Sequence, residues 1–180
     1  MNLYFARHGH NDANTNSTPS QITGEIDEPL NEIGVKQAKK LAAQLKDIQF
    51  DAIISSPLKR AYQTAEIVNE LHELPLEINA TWRERETGGI YASLELWSDM
   101  FNFDKNIKLN NGESLNDFIN RIYSAIEELK QNYHNKSVLV VSHDGVYCAL
   151  HAYLNKLPRT GNIRISPMEN CEYHIYELGS

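Results

Sequence analysis

The chain opens on a short apolar run, Leu3-Tyr4-Phe5-Ala6, which predicts a strand over residues 2–6 covered on both faces. Periodicity then stops. From Gly9 to about Glu28 the residues are polar and turn-forming, and a connection of that length tends to carry function. From Ile33 apolar positions return at helical spacing through Val35, Ala38, Leu41, Ala42 and Leu45, with Lys36, Lys39 and Lys40 on the other side. Ala52-Ile53-Ile54-Ser55 is the next strand. Ser56-Pro57 predicts a helix start, with Ser as N-cap and Pro at the first helical position. Its stripe of Leu58, Ala61, Ala65, Val68 and Leu71 carries the helix to about His72. Leu76-Glu77-Ile78 reads as a third strand. Ser114 with Asp117 three residues on is a capping-box pattern, opening a helix striped by Leu115, Phe118, Ile119, Ile122, Ile126 and Leu129. Ser137 to Val141 is the clearest buried strand, followed by a helix from about Gly145 to Leu154 and a last strand over 172–178.

Strands alternating with helices predict an α/β fold, a three-layer sandwich whose central sheet is mainly parallel. The chain shows no repeat, low-complexity tract or Gly/Ser linker, so one domain over residues 1–180 is expected. In such sheets ligands bind beyond the carboxyl ends of the strands. That rule draws together Arg7-His8-Gly9 after the first strand, Arg60 one turn into the helix after the second, and His143 after the valine-rich one.

Composition narrows the chemistry. The formal net charge of −7 argues against a nucleic-acid surface, which needs clustered Lys and Arg. No segment approaches the roughly 20 apolar residues that cross a bilayer, and the first residues lack the basic and apolar regions of a signal peptide. Cys148 and Cys171 lie far apart in apolar surroundings and read as buried thiols, which makes a cytoplasmic setting the expectation. Two histidines and two arginines at one sheet edge suit a phosphoryl group. Arginine's planar fork matches phosphate oxygens, and a neutral imidazole attacks phosphorus near pH 7 without a strong base. A nearby carboxylic acid must then protonate the leaving oxygen and afterwards activate water. His8 and His10 together invite a metal reading, but no third ligand stands at a suitable spacing.

The motifs Arg7-His8-Gly9, Thr23-Gly24, Leu30 to Ala38, Ser55-Ser-Pro-Leu-Lys-Arg60-Ala-Tyr-Gln-Thr64, Gly112-Glu-Ser114 and Val141-Ser-His143-Asp144-Gly145 follow one another in the order of a known family. Over nearly its whole length the chain resembles the histidine phosphatase (phosphoglycerate mutase-like) superfamily. The resemblance implies a phosphohistidine on His8. It implies a phosphate-binding set of Arg7, His8, Asn14, Thr23, Gly24, Arg60, His143 and Asp144, and a proton donor at Glu84, with Glu86 two residues on as the competitor. It calls for no metal and no cofactor, because the cationic pocket supplies the electrostatic stabilisation. The non-attacking ring nitrogen of His8 is expected to donate to a backbone carbonyl, and Glu84 to have a raised pKa.

Several positions depart from the family pattern. His10-Asn11 stands where Glu or Gln followed by Ser or Thr is usual, and His10 is expected to face solvent rather than substrate. Arg85-Glu86-Thr87-Gly88 replaces the Arg-His-Tyr-Gly that grips phosphoglycerate in mutases. Residues 86–113, expected to form a cap, hold more acids than bases. These departures favour a phosphatase for small phosphomonoesters over a mutase. A phosphate-binding regulatory module with weak turnover is the non-enzymatic alternative. The sequence implies neither a substrate identity nor an oligomeric state.

Overall fold

The computed structural model describes residues 1–15, 21–22, 27–86, 92–105, 107–108 and 111–179. Its centre is a five-stranded sheet in the order β4-β3-β6-β1-β7, formed by β1 (Asn2–Arg7), β3 (Ala52–Ser55), β4 (Leu76–Ile78), β6 (Ser137–Ser142) and β7 (Tyr173–Glu177). The first four run parallel, with Arg7 opposite Ser142 and Ser55 opposite Val141, while β7 joins the edge antiparallel to β1. A separate two-residue ladder pairs β2 (Gln21–Ile22) with β5 (Ala92–Ser93).

Alternate side chains of the strands feed opposite layers, as the pleat requires. Leu3, Phe5, Ile54, Val138 and Val140 pack with α5 (Leu115–Asn132) and α6 (Asp144–Leu154). Ala6, Ile53, Leu139 and Val141 pack with α2 (Glu32–Leu45) and α3 (Lys59–Asn69). The three inner strands β3, β6 and β1 are largely apolar on both faces because each face is covered, so the three-layer α/β sandwich with a mainly parallel sheet is as expected. No helix among the described residues is long and apolar enough to cross a membrane.

Ser114 caps α5 as predicted, accepting from the Asp117 N–H at 3.1 Å, but Asp117 turns its carboxylate to the Ser114 hydroxyl rather than to the backbone. Asn31 caps α2 through the Gly34 N–H, a cap that the apolar pattern did not reveal. The start of α3 differs from expectation. Pro57 lies outside the helix, Leu58 is its N-cap without a side-chain bond, and Asp27 accepts from the Lys59 N–H at 2.6 Å. Ser56 is instead recruited by the site. The helix also ends at Asn69, short of His72, because the Asn69 amide bonds both main-chain groups of Leu74 and turns the chain. Two short elements in irregular sequence were not anticipated: α1 (Asp12–Thr15) and a 3-10 turn, Ala80–Trp82. So was α4 (Leu94–Met100), within the segment expected to form a cap.

Candidate active site

β1, β3 and β6 end side by side. The His8 N–H donates to Ser142 O at 2.9 Å and the Ser56 N–H to Val141 O at 3.1 Å, so the residues just beyond the strands continue the sheet's spacing. This is why His8 and His143 meet, their ring centroids 5.1 Å apart. Arg60 enters from the first turn of α3 and donates its Nε–H to His8 Nε2 at 3.2 Å. The other ring nitrogen of His8, Nδ1, lies 2.7 Å from Gly9 O. A carbonyl can only accept, so Nδ1 carries the proton and Nε2 the lone pair. Thr64 locks the two motifs together: its Oγ1 accepts from the Gly9 N–H and donates to Arg60 O, at 3.0 and 2.7 Å. His143 caps α6 without a side-chain cap bond, and its Nε2 lies 2.8 Å from Ser56 Oγ.

Burial sets the protonation states. His8, Arg60 and His143 are at most 5% exposed. Loss of solvent, then the Arg60 and Arg7 charges, holds the His8 pKa well below its ordinary 6.5. Burial first and Arg60 second do the same to His143, and burial lowers Arg60 itself. Arg7 lends its charge to this group while its Nη1 donates to Met168 O. Its Nε is buried with no hydrogen-bond partner among the described residues.

Glu84 comes from the segment just after the 3-10 turn and is 5% exposed. Its carboxylate accepts from the Arg85 N–H at 2.9 Å and the Gly145 N–H at 3.0 Å. Those two bonds favour the anion, yet burial outweighs them and the pKa is raised from 4.5. Gly145 is required by this approach: a Cβ there would lie 2.2 Å from Glu84 Oε1. Glu86 points its main-chain carbonyl to the Glu113 N–H and is only half-buried, so Glu84 is the carboxyl brought to the group.

The remaining candidates divide. Asn14 stands at the rim, exposed, its Oδ1 accepting from the Asn11 N–H at 3.2 Å. Thr23 and Gly24 lie outside the described residues. Asp144 is placed at the head of α6, but its carboxylate accepts from the Met168 N–H at 3.0 Å and pairs with Arg164 at 3.4 Å. An anion so engaged is unsuited to hold phosphate through its side chain. What Asp144 presents is the first N–H of a helix. His10 is half-exposed, its Nδ1 3.0 Å from the Asn31 amide. No three His, Cys, Asp or Glu among the described residues are grouped to hold a metal ion.

Sequence reasoning missed three side chains that build this site: Ser56, Asn170, which donates to His8 O at 3.0 Å, and Arg121, which reaches the Glu84 segment from α5. Arg121 and Asn170 lie in no motif singled out beforehand. Ser56 does, but there it was read as a helix cap.

The chain is 35% identical over 153 residues to the uncharacterized phosphatase PhoE of Bacillus subtilis, covering 85% of this chain and 75% of that protein. It is 31% identical over 167 residues to the adenosylcobalamin/alpha-ribazole phosphatase of Escherichia coli, covering 88% and 81%. The solved structure of a mycobacterial glucosyl-3-phosphoglycerate phosphatase superposes with a TM-score of 0.82 at 26% identity, over 97% of this chain and 88% of that one. A family match spans residues 3–180, nearly the whole fold that carries His8, Arg60, Glu84 and His143, and by it the chain belongs to the histidine phosphatase superfamily (branch 1).

Proposed function

We propose that this protein is a metal-independent phosphatase for small phosphomonoesters, passing the phosphoryl group through Nε2 of His8 to water. The observation that carries the reading is the bonding of His8: Nδ1–H on Gly9 O puts the lone pair on Nε2, which accepts from the Arg60 Nε–H until a phosphoryl group takes that place. In the first step Nε2 attacks, the P–O bond to the leaving group breaks, and Glu84 gives its proton to the departing oxygen. In the second, the Glu84 carboxylate takes a proton from water, the water oxygen attacks phosphorus, and the P–N bond breaks. Inorganic phosphate leaves with His8 and Glu84 restored. Arg7, Arg60 and His143 hold the equatorial oxygens, and the Asp144 main-chain N–H adds the positive end of α6.

The opposed pKa directions support this cycle. With ordinary values the required pair, neutral His8 and protonated Glu84, would be a minority form at every pH. Burial lowers one and raises the other, which enlarges that population. Residues 86–113 serve as a cap on a single domain and select the organic part of the substrate. Both cysteines are unpaired and buried, which accords with a reducing, cytoplasmic setting.

The test is hydrolysis of an aryl phosphate in excess chelator by the purified chain. Turnover is expected together with an acid-labile, base-stable phosphoenzyme, and His8→Ala should lower kcat/KM by about 10⁴-fold or more. Turnover that survives His8→Ala would refute the assignment. A panel of phosphorylated metabolites then ranks substrates by kcat/KM.

A further inference from the structure

Glu84 is not on a strand or helix. Its segment leaves the 3-10 turn with the carbonyls of Thr81, Arg83 and Glu84 outside any ladder, and one side chain meets all three. Arg121, in the second turn of α5, donates Nη1–H to Thr81 O at 2.7 Å and to Arg83 O at 3.0 Å, while Nη2 lies 3.4 Å from Glu84 O. The same guanidinium grips both carboxylate oxygens of Glu113, Nε at 2.8 Å and Nη2 at 2.6 Å, a two-point pair that is only 16% exposed on each side. Glu113 in turn donates its N–H to Glu86 O at 2.9 Å.

We propose that Arg121, locked in orientation by Glu113, is the positioning residue for the proton donor, fixing the main chain of residues 81–84 so that the Glu84 carboxyl meets the leaving oxygen. This rests on Glu84 being that donor. The planar five-donor fork of arginine is what the task needs, since it binds a carboxylate with one edge and several carbonyls with the rest. In an ion pair this buried, the cost of desolvation offsets much of the attraction, so charge alone adds little stability. Its value is geometric, because a carboxyl displaced by about 1 Å can cost on the order of 10²-fold in rate. Arg121 touches neither substrate nor reacting atoms, so its loss should resemble a weakened acid rather than a weakened phosphate site.

The experiment compares kcat/KM, which reports only the steps up to departure of the leaving group, for two substrates. One is an aryl phosphate with an acidic phenol, needing little protonation; the other is an alkyl phosphate with a basic alkoxide. Glu84→Gln sets the reference, with the alkyl substrate losing far more than the aryl. Arg121→Lys keeps the charge and removes the fork. It is expected to lower the alkyl value about 10–100-fold and the aryl value less than about threefold. Equal losses on both substrates, beside a selective Glu84→Gln, would overturn the positioning role. Equal losses in Glu84→Gln itself would instead remove the proton-donor reading, and this proposal with it. Should Arg121→Lys fail to fold, Glu113→Gln loosens the same clamp and is expected to show a smaller selective loss, about 3–10-fold. An unselective loss there refutes the proposal equally.

Discussion

The two walls of the site are made by different means. The nucleophile wall grows out of the central sheet. His8 and His143 follow paired parallel strands, the ladder fixes their spacing, and the surrounding bonds are short-range continuations of it. The acid wall has no ladder. Its segment is held by buried guanidinium groups bonded to carbonyls: Arg121 on residues 81–84, and Arg85, fully buried, on Met100, Ile107 and Glu113. Burial lowers the Arg85 pKa to about 10, against the opposing pull of the Glu113 and Glu84 carboxylates. A cation in that position is expensive to desolvate and stays only if its donors are satisfied. The Arg85 guanidinium ties Met100, Ile107 and Glu113 to the chain beside Glu84. On the proposed mechanism the sheet wall positions charge, and the arginine-held wall positions a proton.

The largest expected effect tests the first half of that contrast. On the proposed mechanism Arg60→Met removes a charge aimed at the phosphoryl oxygens, which matter whatever the leaving group. Losses in kcat/KM on the order of 10²–10³-fold should be the same for aryl and alkyl phosphates. A strongly substrate-dependent loss would show that Arg60 acts on the leaving group and would erase the distinction between the walls. A pair of glycines gives a smaller, finer test. At Gly34 a Cβ would lie 2.0 Å from the His10 carbonyl, backbone against backbone, whereas at Gly145 it meets the end of the Glu84 side chain at 2.2 Å. Backbone in a packed layer gives way less readily than a carboxylate that can rotate. Gly34→Ala should therefore reach the upper part of about 1–3 kcal/mol in urea unfolding, and Gly145→Ala the lower part. In kinetics the order reverses, with Gly145→Ala selectively impairing alkyl phosphates, by about tenfold for a misplaced acid. Equal stability costs, or no kinetic selectivity at Gly145, would contradict the asymmetry.

The same division explains what could be read from the sequence. The nucleophile wall was legible because parallel strands buried on both faces leave continuous apolar runs. The residues just after those runs, His8 and His143, are placed by topology alone. Arg60 was legible for the same reason, although the start of its helix was misjudged: Ser56 looked like a cap until His143 was found to hold its hydroxyl. Glu84 came from a family motif, not from periodicity, since nothing regular surrounds it. Arg121 was invisible because it occupies an ordinary polar position on an amphipathic helix, and its bonds go to carbonyls that every residue possesses. Asp144 was misleading in another way. A motif places its backbone at the head of α6, but only the partners Met168 and Arg164 reveal that its carboxylate faces elsewhere. Thr23 and Gly24 stay expectations, outside the described residues.

The last effect is on stability and separates the walls by pH. His8 and His143 are held below 6.5 when folded, chiefly by burial. As pH falls below 6.5, the unfolded chain takes up protons that the folded chain refuses, so stability declines with acidification. Glu84 has the opposite sign. Its folded pKa is raised above 4.5, so it favours the fold at low pH, and that contribution is lost as pH rises through the folded value. The sheet wall thus loosens toward acid and the acid wall toward base. In thermal unfolding between about pH 7 and 5, wild type should lose up to about 1.4 kcal/mol per pH unit for each refused histidine proton. His8→Asn, which removes one of those protons, should flatten the decline, while Glu84→Gln should steepen it by deleting the opposing contribution. Parallel pH curves for the two variants would mean that burial does not tune the pair in opposite directions, and the enlarged population of neutral His8 with protonated Glu84 would have to be given up.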